Sequence, residues 1–172
     1  MFLPEVTLRP AQAEDTAFQI AVYASTRAEE MALVSWSGEQ VQAFVQMQFE
    51  AQRRHYTAYF PNAEYSIILR QEVPIGRLIV SRSSAEILLM DIALLPEFRQ
   101  AGIGTSLMRA LMAEAQHAGL PLRLHVEINN PARRLYERLG FYPIGEQGIY
   151  IEMEWRAGSS QEPPEIKRKA LK

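Results

Sequence analysis

From Asp91 to Thr105 the chain reads Asp-Ile-Ala-Leu-Leu-Pro-Glu-Phe-Arg-Gln-Ala-Gly-Ile-Gly-Thr, a strand pattern that passes through a glycine loop directly into a helical one. No other stretch restricts the fold so much. The first N–H groups of a helix lack intrahelical partners and lie at the positive end of its dipole, so glycines at 102 and 104 let an anion approach the bare backbone. The ordinary alternative for the two glycines is a tight turn into a helix. Better-known phosphate loops do not match. No lysine follows Gly104, as a P-loop requires, and Leu107 stands where a dinucleotide fingerprint needs a third glycine.

The helix after the loop is expected from about Thr105 to Ala118, because Leu107, Met108, Leu111, Met112 and Ala115 share one face and Gly119 and Pro121 stop it. A buried strand, Leu122 to Ile128, comes next. Strand, helix, strand implies one parallel crossover. Upstream, Val6 to Pro10 reads as a first strand, and a helix N-capped by Asp15 carries Phe18, Ala21 and Val22 toward residue 28. A second helix starts at the capping box Ser37-Gly38-Glu39-Gln40 and ends before Pro61. Between them, Glu29 to Trp36 reads as a connector whose Met31, Leu33, Val34 and Trp36 serve either packing or a substrate wall. Tyr65 to Leu69, Ile75 to Val80 and Glu86 to Leu94 form an antiparallel meander. Downstream, a short helix from Pro131 to Leu139 closes at Gly140, and two strands follow near Phe141 to Ile144 and Gly148 to Trp155. Residues 157–172 are rich in Gly, Ser, Pro and charge and read as a disordered tail. Residues 1–156 then form a single domain, which suits a chain of 172 residues.

Composition removes whole classes of function. There is no cysteine, which excludes disulfides, thiolate metal sites, iron–sulfur clusters and a cysteine nucleophile. His55, His117 and His125 lack metal-ligand spacing, so no metal is expected. The longest uncharged run, Thr16 to Thr26, is far short of the roughly 20 residues of a membrane span. Met1-Phe2-Leu3 meets Pro4 and Glu5 before a signal sequence can develop, and a cytoplasmic setting is expected. The formal charge is −2, and four basic residues (Lys167, Arg168, Lys169, Lys172) stand among the last six. The remainder is more acidic still, which disfavours nucleic acid as a partner.

Taken together, Arg99-x-x-Gly102-x-Gly104 after Leu94-Leu95-Pro96-Glu97 closely resembles the acyl-CoA pyrophosphate loop of the GNAT superfamily of N-acetyltransferases. A second segment, Asn130-Pro131-Ala132-Arg133-Arg134-Leu135-Tyr136-Glu137-Arg138-Leu139-Gly140-Phe141, resembles that superfamily's second signature, in the right order and after the expected strand. The resemblance spans Val6 to Trp155. It implies an α/β acyl-CoA N-acyltransferase fold, with a mixed, mostly antiparallel sheet of six or seven strands flanked by about four helices. It also implies transfer of an acetyl group from acetyl-CoA to a primary amine by direct attack in a ternary complex. The competing class is a non-catalytic acyl-CoA-binding or sensing module that kept the loop. The acceptor, a small-molecule or peptide amine, carries no motif of its own. A homodimer is compatible with the resemblance.

Residue by residue, the resemblance implies that backbone groups of Ile92, Ala93 and Leu94 hold the pantetheine arm like an added strand. Gln100, Ala101, Gly102, Ile103, Gly104 and Thr105 would hold the pyrophosphate, with Arg99 either beside it or fixing the loop. Asn130 would reach the pantetheine, although Asn before Pro at a helix start is a good cap in any protein. Tyr136 would protonate the leaving thiolate; packing on a short amphipathic helix is its plainer explanation. For the base that strips the amine, the candidates are Asp91, enclosed by apolar neighbours that raise its pKa, and Glu127, which alternates with His125 on a strand. Either carboxylate has a structural alternative, and Glu86 with a water chain is a third route.

Overall fold

The computed structural model describes residues 5–158. Its elements in chain order are β1 (Val6–Pro10), α1 (Thr16–Ala32), α2 (Gly38–Tyr59), β2 (Ala63–Arg70), β3 (Val73–Arg82), β4 (Ile87–Leu94), α3 (Ile103–Ala118), β5 (Leu122–Glu127), α4 (Ala132–Arg138), β6 (Tyr142–Gln147) and β7 (Tyr150–Trp155). The strands form one seven-stranded sheet in the order β1-β2-β3-β4-β5-β7-β6. Strands β1 with β2, β2 with β3, β5 with β7 and β6 with β7 pair antiparallel, whereas β4 and β5 are parallel. The expected mixed, mostly antiparallel sheet with four α-helices is the observed one. The parallel register joins Ile87–Leu89 to Leu122–Leu124 only, so β4 continues for five residues past its last partner on β5.

The chain divides into two compact units that alternate along the sequence. The first holds the described residues up to Ser81 together with Met90–Ser106. Within it, helices α1 and α2 bury Tyr23, Val45 and Phe49 in one cluster, with Ile20, Ala24, Met31 and Val41 packed against it. Tyr23 meets Phe49 edge-on at 6.0 Å, the geometry favoured by ring quadrupoles. Burial of one such ring contributes about 1.5–3 kcal/mol. Asp15 supports the start of α1 indirectly: its carboxylate takes both terminal nitrogens of Arg9, at 2.7 and 2.8 Å, and the Gln12 N–H at 2.7 Å. The second unit holds Arg82–Leu89 and the described residues from Leu107 onward. Its strand β5 buries Leu122, Leu124 and Val126 on one face, and Met153 and Ile151 of β7 are buried as well. Arg123, on the other face of β5, pairs with Glu86 at 3.0 Å and Glu154 at 3.4 Å.

The Ser37 capping box forms as expected: its hydroxyl accepts the Gln40 N–H at 3.2 Å, and the Gln40 side chain accepts the Ser37 N–H at 2.9 Å. Helix α2 ends at Tyr59, before Pro61. Other boundaries move. Helix α1 runs on to Ala32, because Ala28-Glu29-Glu30-Met31-Ala32 contains only good helix formers and no stop. The expected connector therefore shrinks to Leu33–Ser37. Leu33 is 88% exposed, while Trp36 stacks edge-on against Phe44 at 5.2 Å. Helix α3 starts at Ile103, two residues before the expected Thr105, so Gly104 lies inside its first turn. Ile128 falls just past β5 and is 42% exposed, although its N–H still bonds to Ile149 O at 2.9 Å. The expected tail lies, from residue 159 onward, outside the described residues.

Candidate functional site

In the first unit the route from β4 to α3 is fixed bond by bond. Leu95 N–H bonds to Ile75 O at 2.8 Å, and a 3-10 turn over Pro96–Phe98 redirects the chain. Arg99 then reaches back, donating from Nε to Leu94 O at 2.9 Å and from Nη2 to Ser25 Oγ at 3.1 Å. These two bonds make Arg99 a clamp between the strand end, the loop and α1. Gln100 and Gly102 both take left-handed φ values, 61° and 81°, and turns of this kind aim successive N–H groups into an anion-binding concavity. The loop is anchored from beneath by Ile103, which is fully buried, and Gly102 O accepts the Ser106 N–H at 3.0 Å. A Cβ at Gly104 would meet nothing within 4 Å. The backbone at the N-terminus of α3 is thus approachable, and the donors there carry the positive end of a 16-residue helix.

Ile92, Ala93 and Leu94 lie on β4 beyond its registered partners on β5. Behind them Gly76 of β3 is pressed against the backbone: a Cβ there would collide with Ala93 O and come within 2.9 Å of Leu94 Cδ2. Asp91 is half-buried, and its Oδ2 accepts Arg77 Nε at 2.6 Å. Burial pushes the Asp91 carboxyl above the usual carboxylate range, and the nearby Arg77 and Arg27 charges pull the other way. Arg77 is only 3% exposed. Its Nη2 donates to Gln52 Oε1 at 2.8 Å, and its guanidinium lies 5.7 Å from the Tyr23 ring and 5.5 Å from the Phe49 ring. Tyr56 donates to Met90 O at 3.3 Å. The structure thus brings Asp91 together with Arg77, and through Arg77 with Gln52, an arrangement that sequence reasoning missed. The one available signal was a lone arginine inside the apolar run Ile75–Val80.

In the second unit, Glu127 ends β5 opposite Tyr150 of β7 and is half-buried, whereas His125 on the same face is exposed. Glu127 O accepts the Asn130 N–H at 2.9 Å. The Asn130 side chain accepts the Ala132 N–H at 2.9 Å, so the capping role foreseen for it is present. Tyr136 is buried, 7% exposed, with its ring 5.9 Å from that of Phe141. Glu86 is engaged by Arg123. Among the described residues no group of three metal-ligating side chains occurs, and no helix is long and apolar enough to cross a membrane.

The comparisons with known proteins bear on this geometry. The model of the acetyltransferase (GNAT) family matches residues 22–141. Among solved structures, the chain is similar to the PaiA N-acetyltransferase of Thermoplasma acidophilum in complex with coenzyme A, with 18% identity, TM-score 0.67, and coverage of 88% of this chain and 99% of that one. A GCN5-related N-acetyltransferase from Rhodopseudomonas palustris gives 20% identity and TM-score 0.65 over 91% of this chain and 98% of its own. The ribosomal-protein-S18-alanine N-acetyltransferase of Escherichia coli gives 20% identity and TM-score 0.59 over 91% and 96%. At these identities the likeness establishes the fold. No curated protein sequence matches the chain significantly.

Proposed function

The chain belongs to the GNAT acetyltransferase family, and on that premise we propose that it transfers an acetyl group from acetyl-CoA to a primary amine by direct attack in a ternary complex, in the cytoplasm. The observation that carries this reading is the loop from Gln100 to Thr105, where two left-handed residues and an approachable helix start converge without a lysine. Such a site fits a pyrophosphate held by backbone donors. Acetyl-CoA, when bound, supplies a thioester open to attack by an amine.

The chain's own residues divide the work as follows. N–H groups of Gln100 to Thr105 hold the pyrophosphate, and Arg99 keeps that loop in place through Leu94 and Ser25. Ile92, Ala93 and Leu94 offer strand backbone to the amides of the pantetheine arm, and Asn130 adds its side chain. Asp91 or Glu127, directly or through water, takes the proton that the amine must lose. Burial lifts the Asp91 carboxyl toward the range of a useful base. Tyr136 gives a proton to the departing thiolate, a task suited to a phenol. A structural neighbour in complex with coenzyme A supports the donor assignment, and the acceptor is a small-molecule or peptide amine.

An acceptor screen with acetyl-CoA that follows thiol release tests the reading. Release that depends on an added amine supports it; acetyl-CoA binding without release across polyamines, amino acids, aminoglycosides and peptides would make the chain a sensing module. In an active pair, Tyr136→Phe lowers turnover by roughly 10²- to 10⁴-fold with acetyl-CoA affinity kept. Wild-type turnover in that variant removes Tyr136 from the chemistry.

A further inference from the structure

The first unit also contains an open pocket of about 280 Å³ with a mixed polar and aromatic lining. It lies among the residues after β1, the inner faces of α1 and α2, and strands β2 and β3, and Gln12, Gln19, Gln52, Phe49, Tyr65 and Arg77 line it. None of the residues assigned above to the acyl donor does so. Polar atoms buried in the wall of such a pocket are normally paired. One of them here is not. The Tyr65 hydroxyl is buried and has no hydrogen-bond partner among the described residues, which costs free energy unless something pairs with it. Gln19 is itself buried on α1. Gln52 uses its carbonyl oxygen on Arg77, which leaves its amide N–H groups as donors.

The charge of the lining is one-sided. Arg77 and Arg53 both contribute, and no carboxylate does; Asp91, which pairs with Arg77, is not part of the wall. The charged groups of the lining are thus donors only, and they stand beside a volume flanked by the rings of Phe49, Tyr56 and Tyr65. A ligand that satisfies both features carries an anionic, acceptor-rich group on a flat apolar body. We propose that this cavity is a binding site for a small aromatic carboxylate, with the carboxylate toward Arg77, Gln52 and the Tyr65 hydroxyl and the ring beside Phe49. Its lining shares no residue with those assigned to the acyl donor, so benzoate and acetyl-CoA bind independently of one another.

Three probes of nearly equal shape and different charge test the site on the full chain: benzoate, benzamide and benzylamine, followed by calorimetry and saturation-transfer NMR. Benzoate binds, benzamide binds about tenfold more weakly, and benzylamine does not bind. Tyr65→Phe removes only the unpaired hydroxyl, so it weakens benzoate about fivefold with the thermal midpoint of the free protein unchanged or raised. Gln19→Met, nearly equal in volume, provides a second variant with the same expected direction. Acetyl-CoA titrated into the same variants binds as in the wild type, which separates this site from the donor site. Absence of benzoate binding at millimolar concentration, equal binding of all three probes, preference for benzylamine, or unchanged benzoate affinity in both variants would each overturn the proposal.

Discussion

Gly76 shows how a single missing side chain lets two strands meet. Its Cα lies so near β4 that an added methyl would overlap Ala93 O and crowd Leu94, and these are the residues assigned to the pantetheine arm. Backbone oxygen cannot rotate away as a side chain can. Gly76→Ala therefore costs about 3 kcal/mol, the upper end for overpacking, and displaces Ala93. A denaturation midpoint equal to wild type would mean that β4 yields without cost. Asp15 works through charge instead. The Arg9 guanidinium and the Gln12 N–H hold its carboxyl down at about 2, from an ordinary 3.8. Its folded pKa is the lower one, so the stabilisation is present above pH 4 and is lost as pH falls toward 2. Asp15→Asn is thus less stable than wild type at neutral pH, and the gap closes between pH 4 and 2. Thermal midpoints measured across that range check the sign; parallel curves would exclude the linkage.

At the scale of elements, the start of α3 makes the clearest prediction. Gly104 has open space where a Cβ would stand, and its φ is outside the left-handed region, unlike that of Gly102. A Cβ fits there without collision, and valine gives up none of the helix, since glycine is the poorer helix former. Its methyl groups would nonetheless stand over the first N–H donors. Gly104→Val accordingly reduces acetyl-CoA affinity at least tenfold, about 1.4 kcal/mol, with unchanged circular dichroism, and calorimetry measures it. Undiminished affinity would move the pyrophosphate elsewhere. This element and the α2 cap were legible in the sequence because their signals are local: glycines beside an apolar helix face, and Ser37 three residues before Gln40. The end of α1 was not legible, since a helix without a stop residue ends where packing ends. The β2–β3 turn was hidden as well. Gln71 and Glu72 take φ values of 50° and 64°, a conformation usually marked by Asn or Gly. Asp91 takes its partner, Arg77, from β3, 14 residues away in sequence, and Arg77 is held in turn by Gln52 of α2, 25 residues from it; the spacing that reveals a helix face carries no trace of them.

For the whole molecule, the distribution of amines matters as much as the fold. Every lysine of the chain (Lys167, Lys169 and Lys172) falls within the last six residues, and all earlier basic positions are arginine or histidine. A member of the acetyltransferase family so composed has few side-chain amines of its own to acetylate, and they share one short segment. The last strand, β7, ends at Trp155, and Arg156 pairs with Glu154 just after it. A cut after Arg156 leaves every described strand and helix intact and removes a stretch with few apolar side chains to bury. It also removes four basic and two acidic residues, so the shortened chain is more acidic and elutes later from an anion exchanger. We expect deletion of Ala157–Lys172 to preserve the thermal midpoint, acetyl-CoA affinity and turnover of an added amine. Intact-mass measurement after incubation with acetyl-CoA alone then distinguishes self-modification from acceptor turnover: acetyl additions to lysine can arise only in the full chain. A lower midpoint or weakened acetyl-CoA binding on deletion would place the domain boundary beyond residue 156 and make the C-terminal segment part of the folded domain.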